Sequence, residues 1–198
     1  LLKKISSNTI EIRGAKGNSL TILFSTMREE SNTSKPISNF ARDCCSGISE
    51  AEKASGFSAY FANMISRLLA ACHGTIIICE NAEGISQISE MKDHIGLSPA
   101  LDFRKAFADY NGTKSAETIL TLQRCEELLS GFLRCDGMIS FNNMGSVTAY
   151  RIFYSPSEAA APEAPKVNGG ARRRAFEGLK PLVKNKIVSA LFRSQDDS

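Results

Sequence analysis

The chain contains no tryptophan, only two histidines, and six cysteines with no CxxC pair among them. Structural zinc normally shows itself by two close ligand pairs. Neither His73 and His94 nor Cys44, Cys45, Cys72, Cys79, Cys125 and Cys135 have that spacing. The cysteines sit in or beside apolar runs and read as small buried thiols in a reduced, cytoplasmic setting. An excess of charge is also lacking: 24 basic against 21 acidic side chains give a formal net charge of +3. Nucleic-acid binders carry a clustered basic face, so no direct nucleic-acid contact is expected. The longest apolar runs, such as Thr75 to Cys79, fall far short of the roughly 18 residues of a membrane span. No signal-peptide core opens the chain, and no membrane partner is expected.

What is present is 42% hydrophobic and 23% charged over 198 residues, the profile of one domain of ordinary size. We read residues 1–198 as a single domain. Because the first residue is Leu rather than Met, the expectation is a piece of a longer protein, with an effector on that chain or on a partner.

Along the chain, Thr9 to Arg13 and Ser19 to Phe24 read as a strand pair around the turn-prone Gly14 to Asn18. Thr26 to Ser38 turns polar and holds Pro36, so residues 1–50 are expected to form a strand pair and a loop. From Glu50 to Cys72, apolar residues including Phe57, Phe61, Met64, Ile65, Leu68 and Leu69 recur at three and four, which predicts one amphipathic helix. The β-branched run Thr75 to Cys79 predicts a strand buried on both faces. Residues 80 to 114 support no firm assignment beyond a short helix around Pro99 to Tyr110. Ser115 to Leu133 predicts a second amphipathic helix, capped by Ser115 and burying Ile119, Leu120, Leu128, Leu129, Phe132 and Leu133. Met138 to Phe141 and Val147 to Tyr154 flank Asn142 to Gly145 as a hairpin. Residues 155–170 are rich in proline and alanine and read as a flexible internal loop. Ala171 to Leu179 then predicts a short helix and Lys186 to Arg193 a last strand.

Three places could carry chemistry. Gly169-Gly170 followed by Arg172, Arg173 and Arg174 puts glycines, helix N–H groups and guanidinium forks together, which suits a phosphate; the same run is also compatible with a solvated basic turn. Asp136-Gly137 before a strand suits a divalent cation or a ribose hydroxyl, or is a simple turn pair. His73-Gly74-Thr75 places backbone and hydroxyl where a base or sugar could meet them, or is a helix-ending glycine.

The order of these motifs is similar to that of the diadenylate cyclase domain: Gly74-Thr-Ile-Ile-Ile78, then Asp136-Gly137-Met138, then Gly170-Ala-Arg-Arg-Arg-Ala175. That family carries a Gly-Ala-Leu-Ile type strand, Asp-Gly-Ala and Gly-Thr-Arg-His-Arg in the same order, and the resemblance covers about residues 55 to 198. It implies an α/β fold, a mixed central sheet of six or seven strands flanked by helices, with strands 75–79, 138–142, 147–154 and 186–193 at its core. It also implies a nucleotide site, with Asp136 serving a Mg or Mn ion and Arg172 and Arg174 serving catalysis in an active cyclase, which would have to dimerise to join two ATP molecules.

Two departures point away from turnover. Ala171 stands where the family has Thr, and Arg173 where it has His; arginine stays protonated and has no lone pair for a metal or a proton. The expectation is therefore a sensor of a nucleotide or cyclic-nucleotide messenger in a bacterial signalling or conflict system. No catalytic residue and no cofactor are expected. Gly169, Gly170, Arg172, Arg173 and Arg174 would hold phosphate, Asp136 and Gly137 would face ribose or a metal, and Gly74 and Thr75 would lie near the base. The alternatives are an active diadenylate cyclase and a protein-interaction domain on a degenerate nucleotide fold.

Overall fold

A computed structural model describes residues 2–6, 9–13, 19–23, 34–72, 74–81, 84–155 and 170–194. The proline- and alanine-rich stretch, apart from Ser155 and Gly170, and the residues Gly169 and His73 lie outside the described residues. The architecture is α/β. Strands β1 (Leu2–Ser6), β2 (Thr9–Arg13) and β3 (Ser19–Leu23) form one antiparallel sheet. The strand pair expected there is present, with β1 added beside it.

The second sheet carries the core. Its strands are β4 (Thr75–Glu80), β5 (Met91–Lys92), β6 (Ile95–Asp102), β7 (Met138–Phe141), β8 (Ser146–Tyr154) and β9 (Ile187–Arg193). Their order is β5-β8-β7-β4-β9, with β6 also paired to β8. Only β4 and β7 are parallel, so the sheet is mixed. Every residue of β4 is buried. Strand geometry sends successive side chains to opposite faces, and Ile77 and Cys79 accordingly enter one apolar cluster while Ile76 and Ile78 enter another. A strand flanked by partners and covered on both faces has no polar side, which is why its sequence reads as an unbroken β-branched run.

Helices α1 (Ser34–Cys44), α3 (Phe57–Ala70), α4 (Phe103–Thr113) and α5 (Ala116–Leu133) contribute to the first cluster. Helix α6 (Ala171–Leu179), with the following 3-10 turn Lys180–Leu182, supplies Leu179 and Leu182 to the second. Phe61 is fully buried at the centre of an aromatic group, with ring centroids 5.7 Å from Phe57, 6.4 Å from Phe103 and 5.7 Å from Phe141.

Four expectations are corrected. The polar stretch after Thr26 is not all loop, because α1 begins at Ser34 and holds Pro36 in its first turn. A proline is tolerated there because an N–H at that position has no intrahelical acceptor to lose. The single helix over Glu50 to Cys72 is two, α2 (Glu50–Ala54) and α3, separated by Gly56 in the left-handed region at φ +90°. Pro99 belongs to strand β6 rather than to a helix, and α4 starts at Phe103 after the Asp102 cap accepts from the Lys105 N–H at 2.9 Å.

The fourth correction concerns the buried stripe of α5. It runs through Leu122, Glu126, Leu129 and Leu133, while Leu120 and Leu128 are 50% and 52% exposed. A carboxylate can occupy that stripe because Arg67 of α3 lies 2.6 Å from Glu126 and the Tyr60 hydroxyl donates to it at 3.1 Å. Burial and the Glu126 carboxylate push the Tyr60 phenol well above its ordinary range, so it stays a hydrogen-bond donor.

Replacing Phe61 by Ala is expected to cost about 3 to 5 kcal/mol of unfolding free energy, measured by urea denaturation, since a fully buried ring leaves a cavity its neighbours cannot fill.

Candidate functional site

Because β4 and β7 are parallel, both begin at the same edge of the sheet, and their antiparallel neighbours β9 and β8 end there. Gly74 precedes β4, Asp136-Gly137 precedes β7, Tyr154 ends β8 and Ser194 follows β9. The start of α6 reaches the same edge, and the arrangement leaves a cavity of about 740 Å³. Six residues singled out from the sequence line it: Gly74, Asp136, Gly137, Gly170, Arg172 and Arg173. Thr75 does not line it; that residue is buried in β4, 3% exposed. Arg174, on the next position of α6, is also not part of the lining.

Each of the six is held by local structure. Gly170 is the N-cap of α6 and has no side chain to offer the helix; its carbonyl accepts from the Arg174 N–H at 3.1 Å. The first-turn N–H groups of α6, which have no intrahelical acceptor, therefore belong to a segment that lines the cavity. Gly74 takes φ +65° in the turn between α3 and β4. Gly137 takes φ +96°, and a Cβ there would lie 2.9 Å from the Arg151 backbone. Glycine at 137 is thus required by the chain itself, whose β8 backbone crosses at that point.

Asp136 and Arg172 form an ion pair at 3.0 Å, with side chains 85% and 41% exposed. An exposed pair of this kind contributes little to stability and exchanges readily. Among the residues lining the cavity, Asp136 is the one acid against Arg151, Arg172 and Arg173. The wall also carries Phe153, Tyr154 and Phe192, and the floor Ile76, Met138 and Ile152. Burial, with the Glu90 carboxylate adding to it, raises the Tyr154 phenol above its ordinary value and keeps it neutral. Chemically, this is a cavity lined by basic, aromatic and aliphatic residues, suited to an anion joined to a flat apolar group.

Asp136 is the residue of this lining that could serve a divalent ion together with the phosphates of a ligand. Asp136 offers a single carboxylate, already against a guanidinium, and among the described residues no three His, Cys, Asp or Glu side chains stand where they could hold a metal.

The aromatic lining and Arg151 were not legible as site residues, because strand positions of β8 and β9 carry no local signature of a ligand. Among the described residues, no helix is long and apolar enough to cross a membrane. Family models, curated proteins and solved structures give no match to this chain.

Replacing Asp136 by Asn is expected to change unfolding free energy by no more than about 0.5 kcal/mol, as for an exposed pair. Replacing Gly137 by Ala is expected to cost about 1 to 3 kcal/mol, from the left-handed backbone and the collision with β8. Urea denaturation of the two variants checks both.

Proposed function

We propose that this domain binds a nucleotide or cyclic nucleotide and acts as a sensor for it, without turning it over. The observation that carries this reading is the convergence of three motifs from separate parts of the chain, Gly74, Asp136-Gly137 and Gly170 to Arg173, on one cavity. The phosphate sits at the start of α6, where N–H groups and the Arg172 and Arg173 guanidinium groups meet it. Asp136 occupies Arg172 until the phosphate replaces it, so the empty cavity keeps its arginine oriented at little cost. The base lies against the aromatic and apolar part of the wall, where stacking is tolerant of base identity.

Among the described residues that line the cavity there is no imidazole. Arg173 stands where the cyclases it resembles place an imidazole, and it holds its proton. Phosphate binding persists under that replacement while proton transfer does not.

Calorimetric titration with ATP and with cyclic di-AMP tests the reading. At least one of the two is expected to bind, and replacing Arg172 or Arg173 by Ala is expected to weaken that binding about 10- to 150-fold, the scale of about 1.5 to 3 kcal/mol for a charge-assisted bond. Replacing Asp136 by Asn should instead tighten binding, because it removes the competing anion from Arg172. Unchanged affinity in both arginine variants would overturn the phosphate assignment. Weaker binding in the Asp136 variant would mean that the carboxylate meets the ligand directly.

A further inference from the structure

Arg151 lines the same cavity from a different element, β8, and it gets there by an irregularity of the backbone. Between Met138 and Ser140 of β7 the partner residues on β8 step from Ile152 to Ala149, three positions against two, so β8 carries one extra residue at Tyr150–Arg151. Ala149 and Ile152 consequently pack into the same apolar cluster although strict alternation over three residues would separate them. A bulge of this kind re-aims a side chain. Arg151 itself adopts φ +54°. The other non-glycine residues at positive φ among the described ones, Asp93, Lys114 and Lys184, fall in turns or at a helix end, whereas Arg151 lies inside a strand.

A β-strand position in the left-handed region is one that glycine would fill without strain. The chain carries arginine there and gives up the facing side chain at Gly137 to accommodate the crossing backbone. Strain kept at a cavity wall points to a use for the side chain. Among the described residues no carboxylate pairs with Arg151, in contrast to Arg172, which Asp136 neutralises. Arg151 and Arg173, on two different elements, therefore both line the cavity without a carboxylate partner among the described residues.

We infer that Arg151 is a further ligand-binding residue and that the cavity selects ligands with at least two phosphate groups, one met by the start of α6 and another by Arg151. This rests on the nucleotide-site reading above and narrows its ligand class: a nucleoside di- or triphosphate or a dinucleotide, rather than a nucleoside monophosphate.

The test is calorimetric titration of the parent and of Arg151→Gly with ATP, cyclic di-AMP and AMP, together with the melting temperature of each protein alone. The parent is expected to bind ATP or cyclic di-AMP more tightly than AMP. Arg151→Gly is expected to weaken the tighter ligand about tenfold or more, to change AMP affinity by less than about threefold, and to melt no lower than the parent because glycine relieves the positive φ. Equal affinities of parent and variant for all three probes, or equal loss for all three, overturn the inference. A loss of binding accompanied by a lower melting temperature also overturns it, since that is the signature of a structural role. If the parent binds none of the three probes, the nucleotide-site reading itself fails and this inference falls with it.

Discussion

Burial of β4 on both faces is the constraint from which the rest of this domain follows. Ile76 and Ile78 on one side and Ile77 and Cys79 on the other cannot be satisfied by one layer of helices. The chain therefore places α1, α3, α4 and α5 over one face and brings α6 back over the other. Hydrophobic burial of this kind is non-directional, but the pairing of β4 with a parallel β7 and an antiparallel β9 is not. That pairing sets which chain ends meet at each edge of the sheet.

The cavity is a product of that edge. Two strands start there and two end there, and together with the start of α6 they border the cavity. The backbone of β8 crosses so close to Gly137 that no side chain fits between them. The buried Ile76, Met138 and Ile152 of the sheet and arginines of α6 and β8 line this space together. Phosphate recognition at a helix start needs little more than this. Proton transfer needs a group that can give up or take on a proton, and an arginine side chain does not provide one.

The sequence carried the features whose cause is local. The β-branched run marked β4, the turn at Asn142 to Gly145 marked the β7–β8 hairpin, a recurrence at three and four marked α5, and Ser115 marked the α5 cap, where its hydroxyl accepts from the Thr118 N–H at 3.2 Å. Glycine and arginine motifs also single out Gly74, Asp136, Gly137, Gly170, Arg172 and Arg173, which line one cavity. Features whose cause is distant in the chain were out of reach. Glu126 lies on a buried stripe only because Arg67 and Tyr60 of another helix satisfy it, so an apolar-periodicity argument shifted the stripe onto Leu120 and Leu128. Pro36 reads as part of a loop and Pro99 as the start of a short helix because the place of a proline depends on its partners, a first helical turn in one case and a strand paired to β8 in the other. Arg151 was invisible because a strand bulge is usually announced by glycine, and here the glycine stands on the facing residue 137.

The central claim is that this cavity holds a nucleotide and leaves it intact. Incubation of the protein with ATP and Mn or Mg, followed by mass spectrometry of the small molecules and native mass spectrometry of the protein, tests it most directly. The account predicts ATP recovered unchanged and a protein species that carries bound nucleotide, whether added or retained from purification. Protein-dependent formation of cyclic di-AMP, or a protein that carries no nucleotide under any of these conditions, would contradict it.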